Sequence, residues 1–154
     1  MSIEQKEISA RIFLSAKKTL TIPEIPVFAD EVVEKIFKEA EELQLVINGP
    51  CEFIYFGCTG NIEEPFDLRI AIPVEQKKTN PELFEYYESP AFVCVYQDYQ
   101  GSMKNIGDGW DALCAETEKA GFRFSDGGHI REVYKKWNGF DDFQNITELQ
   151  IEIK

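Results

Sequence analysis

Two short stretches of this chain, 81 positions apart in a length of 154, read alike. Asp67-Leu68-Arg69-Ile70-Ala71-Ile72 and Glu148-Leu149-Gln150-Ile151-Glu152-Ile153 are each a carboxylate followed by apolar residues at every second place. That alternation is the pattern of a β-strand with one buried face. Self-similarity at about half the chain length points to two copies of one small α+β unit.

The flanking sequence fits a duplication. In the first copy a strand is expected near 15–22, a turn at Ile25-Pro26, and a helix from an Asp30 N-cap to about Leu43, with Val33, Ile36, Phe37 and Ala40 at helical spacing. Asn48-Gly49-Pro50 breaks the chain, and strands follow at 52–57 and 66–73. Val74 to Pro81 is polar and reads as the joint between the copies. Beyond it, 83–88 and 91–98 read as extended. A helix over 103–120 carries Ile106, Trp110, Leu113 and Cys114, with Gly121 as its C-terminal cap. Strands at 129–136 and 147–153 close the chain. Each half reads strand, helix, strand, strand. The expected fold is α+β: duplicated units forming an antiparallel sheet, two helices packed on one side, and a ligand groove at the pseudo-twofold seam. A single domain over 1–154 is expected, with half-repeats at about 11–76 and 82–154.

Composition narrows the function. Hydrophobic residues make up 44% of the chain, enough for a sizeable core. The net charge is −12, and the lysine pairs at 17–18, 77–78 and 135–136 form no basic stripe, so direct nucleic-acid binding is not expected. An acidic field favours cationic ligands, or simply keeps a protein soluble. No apolar run is long enough to span a membrane, and Met1 to Ala10 is polar rather than signal-like, so a cytoplasmic location is expected. The cysteines at 51, 58, 94 and 114 form no Cys-x-x-Cys, and His129 is the single histidine. No metal and no cofactor are expected. Cys94 and Cys114 read as buried thiols, and His129, beside a glycine turn, as a surface residue.

The strand faces suggest a binding wall. If Leu149, Ile151 and Ile153 point to the helix-covered core, then Glu148, Gln150 and Glu152 point away from it. With Val133 on the core side, Glu132 and Tyr134 share the face of Glu148. Tyr55 and Asp67 take the matching places in the first copy, and Tyr96 and Trp110 are further candidates, with Tyr99 and Trp137 at the rim. Carboxylates among aromatic rings suit a flat, lipophilic cation. The same acids can act as general acid and base if their environments differ. A plainer reading stands beside each: Glu132 and Glu148 as solvated strand residues, Tyr55 and Tyr134 as ordinary sheet residues, Trp110 as core, and Glu39, Glu41 and Glu42 as a solvated helix face.

Arg131-Glu132-Val133-Tyr134, followed by a loop and then Thr147-Glu148-Leu149-Gln150-Ile151-Glu152-Ile153, resembles the C-terminal half of GyrI-like small-molecule-binding domains. These are also the effector-binding domains of some AraC-type and MerR-type transcription regulators. Gly101, Trp110-Asp111-Ala112-Leu113 and Gly121 resemble the family's second strand-to-helix passage. The resemblance implies a pseudo-symmetric pair of units around a groove. It also implies binding of lipophilic, often cationic compounds by an acid amid aromatics, with Arg131, Glu132 and Tyr134 on one strand and Thr147, Glu148 and Gln150 on the next. The final Ile-Glu-Ile departs from the family, where a proline is frequent, and no helix-turn-helix segment is present. A stand-alone module that senses or sequesters a lipophilic cation is therefore expected, anchored by Glu132. The resemblance leaves two alternatives: a hydrolase of reactive cyclopropane-type compounds using Glu132, Glu148 and Tyr134, and an interaction protein whose partner is gyrase or a regulator. No nucleophile–base pair stands out, which ranks enzyme below binder.

Overall fold

Each copy of the repeated motif becomes an inner strand of a four-stranded antiparallel sheet. In the computed structural model, which describes residues 3–126 and 128–154, the chain divides into two compact units. The first is Ser9–Ala91. It contains β2 (Arg11–Leu20), α1 (Ile25–Glu42), β3 (Glu52–Phe56), β4 (Phe66–Val74) and β5 (Glu85–Ser89), with sheet order β3-β4-β2-β5. The second joins the described residues up to Ile8 to Phe92–Lys154. It contains β1 (Glu4–Ile8), β6 (Phe92–Gln100), α2 (Ile106–Lys119), β7 (His129–Lys136) and β8 (Ile146–Glu152), with order β7-β8-β6-β1.

The two orders are the same pattern. The strand before the helix lies between the repeat strand and one extra edge strand. The edge strands are the part the sequence hides. β1 reads Glu-Gln-Lys-Glu-Ile, a polar run without clear alternation, yet it pairs with β6. Charged side chains on an edge strand also discourage pairing with other chains. β5 pairs with β2, which keeps residues up to Ala91 in the first unit, where the sequence alone puts the joint at 74–81.

Helix α1 starts earlier than Asp30. Thr21 and Glu24 form a capping box, with the Glu24 carboxylate accepting from the Thr21 amide at 2.9 Å and its hydroxyl at 2.8 Å. The Thr21 backbone hydrogen bond, then its hydroxyl, hold Glu24 below the usual carboxylate range. Pro26 lies in the first turn of the helix, where a missing N–H costs nothing, so it opens α1 instead of turning the chain.

Glu39 also departs from expectation. Glu41 and Glu42 are solvated, but Glu39 is buried. Its carboxylate accepts the amide N–H groups of Glu82, Leu83 and Phe84, the segment that leads into β5. Three donors offset the desolvation of a charge that helical periodicity alone would place in water.

In the second unit, α2 covers Val95, Leu149, Ile151 and Ile153 through Leu113, with Trp110, Cys114 and Ile130 packed around them. Cys94 is buried as expected, while Cys114 is half-buried. In the first unit, Phe28, Ile36 and Ala40 of α1 are buried on the helix side. The other face of that sheet holds Phe13, Ile54 and Ala71, with Phe56 and Tyr87 against them. Among the described residues no helix is long and apolar enough to cross a membrane.

Candidate functional site

Register decides which side chains meet. Residues directly opposite each other in an antiparallel pair share a face. In the β7–β8 pair, Ile130 faces Ile151, Glu132 faces Leu149 and Tyr134 faces Thr147. Glu132 and Tyr134 therefore lie on the α2 side, with the core. Arg131 faces Gln150 and Val133 faces Glu148, on the opposite side. The expectation that Glu132, Tyr134 and Glu148 line one surface is thus corrected. Strand β7 carries an apolar residue on each face, Ile130 and Val133, and the inner one is Ile130.

Glu132 is 6% exposed and sits between helix and sheet. Its Oε2 accepts from the Trp110 indole Nε1 at 2.8 Å, and its Oε1 accepts from the Tyr134 hydroxyl at 2.5 Å. Trp110 is delivered by the first turns of α2 and Tyr134 by the next inward position of β7. Immediately after Tyr134 the register shifts, a bulge that re-aims the chain. The following residue but two, Trp137, is 50% exposed and meets the Tyr134 ring edge-on, with centroids 5.6 Å apart. A carboxylate, two neutral donors and three aromatic rings thus come together.

Two further features shape this wall. Gly109 lets the Tyr99 ring lie against α2, since a Cβ there would stand 2.8 Å from a ring carbon. The Tyr99 hydroxyl donates to the Ser102 carbonyl at 2.8 Å, and burial pushes its pKa up, with Asp108 adding to it. The loop after Trp137 is held by Asn145, which is fully buried. Its Oδ1 accepts from the Asn138 amide and its Nδ2 donates to the Gly139 carbonyl, each at 2.7 Å.

The other candidates have different surroundings. Glu148 is buried on the face away from α2, with Lys6 Nζ at 2.8 Å and Gln150 Nε2 donating to it. Its charge is matched from within the chain. Tyr96, on the same face, donates to Glu4 at 2.7 Å and carries Lys6 over its ring at 4.0 Å. The hydrogen bond to Glu4 raises the Tyr96 pKa most, followed by burial. Tyr96 also borders a cleft of about 270 Å³ with Ile3, Glu4 and Leu113. In the first unit Tyr55 is buried on the α1 side against Phe66, at 5.6 Å. Asp67 lies on the other face, accepting from Thr19 and standing 3.9 Å from Lys17. Tyr55 and Asp67 are therefore not one wall either. Of the seven candidates, the structure brings together Glu132, Tyr134 and Trp110.

His129 is 8% exposed and not a surface residue. Its ring packs edge-on against Phe92 at 4.5 Å, and Nδ1 stands 3.2 Å from Glu152 Oε2. Burial first, and then the Arg131 guanidinium, push its pKa down to about 3. The neutral ring donates from Nδ1 to the carboxylate. Between pH 6.5 and 3 the unfolded chain binds a proton that the folded chain refuses, so stability falls as pH drops through this window. Going from pH 7.5 to 5 is expected to cost about 2 kcal/mol through this group. Urea unfolding at both pH values should show that loss in the native chain and a smaller one in His129→Asn, whose amide keeps a donor toward Glu152. Equal losses in both would overturn the assignment.

A family model for the GyrI-like small molecule binding domain matches residues 1–154. No curated protein sequence matches the chain. Among solved structures, the chain is similar to EcmrR, seen in a complex with DNA, with 19% identity and a TM-score of 0.81 over 99% of this chain and 57% of that one. The chain thus spans somewhat over half the length of that protein. Against the EcmrR C-terminal domain alone the TM-score is 0.79 at 17% identity, covering 99% of this chain and 97% of that one. SAV2435 bound to tetraphenylphosphonium gives 0.69 at 12% identity, over 100% and 94%. A hydrolase encoded by lin2189 from Listeria innocua gives 0.62 at 11% identity, over 99% and 92%.

Proposed function

The chain belongs to the GyrI-like small molecule binding domains, and from that premise we propose that it binds lipophilic aromatic cations with Glu132 as their anchoring charge. The observation that carries this reading is the Glu132 carboxylate, nearly buried and hydrogen-bonded by the neutral donors Trp110 and Tyr134. A carboxylate in that setting gains from a cation brought close to it. Each aromatic face adds about 0.5–2 kcal/mol of cation–π attraction. Glu148 already has Lys6 Nζ at 2.8 Å. The tetraphenylphosphonium bound to SAV2435 is a compound of this class. The role that follows is sensing or sequestration of such compounds, with the small molecule as partner and without direct nucleic-acid contact by this chain.

The two tryptophans of the chain, Trp110 and Trp137, both lie at this site, so their fluorescence reports on it directly. Titration with tetraphenylphosphonium is expected to give saturable quenching. A neutral tetra-aryl compound of the same size should give far less. Equal responses to the two would remove the charge from the explanation.

The hydrogen bond between Tyr134 and Glu132 favours a second reading. With an electrophilic carbon beside it, Glu132 can take a proton from attacking water while Tyr134 donates to the leaving group. Release of ring-opened product from a reactive cyclopropane compound, lost in Glu132→Gln, is the result that this reading requires.

A further inference from the structure

We propose that Thr147 is a specificity-determining residue of this site, and that its preferred ligands carry a hydrogen-bonding group besides the positive charge. The inference rests on the Glu132 reading and narrows its ligand class. Thr147 is fully buried, and among the described residues its Oγ1 has no hydrogen-bond partner. It lies on β8 directly between Tyr99 and Tyr134, on the α2 side of the sheet. The polar groups around it are already engaged. The Tyr99 hydroxyl is given to the Ser102 carbonyl, and the Tyr134 hydroxyl and Trp110 indole N–H to Glu132.

A buried hydroxyl without a partner costs free energy, and valine fills the same space without that cost. Threonine at this point is a poor choice for the fold alone. It is a good choice for a ligand that supplies the missing partner. The register sets where that partner must be. Thr147 and Glu132 are diagonal neighbours across one strand pair, with Cα atoms roughly 7–8 Å apart. That is about the span of one aromatic ring with its substituents. A cation with a hydroxyl, carbonyl or amide group one ring away from the charge fits both contacts, whereas tetraphenylphosphonium satisfies only the charge. A ligand reaches Thr147 by moving Trp137, half-exposed on its loop, away from the Tyr134 ring, which leaves the hydrogen bond between Tyr134 and Glu132 in place.

The test compares tetraphenylphosphonium with its para-hydroxyphenyl analogue, on the native chain and on Thr147→Val. The native chain should bind the hydroxylated cation about tenfold more tightly, as one added buried hydrogen bond predicts. Thr147→Val should abolish that preference while leaving tetraphenylphosphonium affinity unchanged. Without ligand, Thr147→Val should melt at the same temperature as the native chain or higher. If tetraphenylphosphonium binds and the hydroxyl brings no gain, the Thr147 assignment fails and the Glu132 reading stands. If neither cation binds, the Glu132 reading fails and takes this inference with it. A marked drop in melting temperature of the free variant would mean that the hydroxyl serves the fold, and would also overturn the assignment.

Discussion

Replacing Arg11 with alanine is expected to destabilise the chain by about 3 kcal/mol, one of the largest effects available to a single change in it. Arg11 and Glu52 form a bidentate pair, with Nη1 to Oε2 at 2.5 Å and Nη2 to Oε1 at 3.1 Å. The Glu52 side chain is 1% exposed and the Arg11 side chain 30% exposed. Removing Arg11 therefore takes both guanidinium contacts away from a buried carboxylate. The guanidinium also lies 4.8 Å from the centre of the Phe13 ring, so packing is lost with the charge. The partial exposure of Arg11 places the expected loss at the lower end of the range for broken buried pairs. For a chain of this size a loss of about 3 kcal/mol corresponds to a fall of roughly 6–12 °C in melting temperature.

The control is the double replacement Arg11→Met with Glu52→Leu. It removes both charges and leaves apolar groups of similar volume, and should recover most of the loss. If the double variant is as unstable as the sum of the single ones, the pair contributes through packing alone. If Arg11→Ala costs less than about 1 kcal/mol, it behaves as an exposed pair, contrary to the burial of Glu52.

The duplicated architecture was legible because its signals are local. Period-two alternation at 66–73 and 147–153, helical spacing around Ile36 and Leu113, and glycine or proline punctuation each act over a few residues. What escaped depends on partners distant in sequence. Strand β1 is polar and becomes a strand only because β6 offers it an edge. Pro26 looks like a breaker until the Thr21–Glu24 capping box puts it in the first turn of a helix. Glu39 looks solvated until residues 82–84 bring three amides to it.

The site shows the same division. Residue type and order name Glu132, Tyr134 and Trp110 as candidates, and the structure brings these three together. Their common face was not legible in the sequence, because β7 offers Ile130 on one side and Val133 on the other, and a shift of one residue exchanges every side chain between faces. The choice is made by β8: Glu132 stands opposite Leu149, which lies under α2. Glu148 illustrates the converse. It has the same chemistry as Glu132, but Lys6, 142 positions away in the chain, occupies its charge. No local pattern names the distant lysine that faces one acid, nor the indole and phenol that donate to the other.

That contrast sets the second large effect. Glu132→Gln is expected to weaken tetraphenylphosphonium binding by about 2–3 kcal/mol, or roughly 30–150-fold. The amide has nearly the shape of the carboxylate, so the packing of Trp110, Tyr134 and Trp137 around it persists. Its oxygen can still accept from one of the two donors, Trp110 Nε1 or Tyr134 Oη, while its NH2 group faces the other. The cation loses its opposite charge in a site where water is scarce and screening is weak. A neutral isostere loses nothing of that kind, and its affinity should move by no more than about threefold. Glu148→Gln serves as the matched control. It removes one carboxylate from the same unit and changes the net charge equally, but the charge it removes already faces Lys6, so cation affinity should change little. Isothermal titration of the three proteins with both compounds separates the cases. A loss shared equally by Glu132→Gln and Glu148→Gln would reduce the effect to overall field, and a loss shared equally by cation and isostere would reduce it to shape. Only a loss confined to Glu132 and to the cation supports an anchoring charge held between helix and sheet by Trp110 and Tyr134.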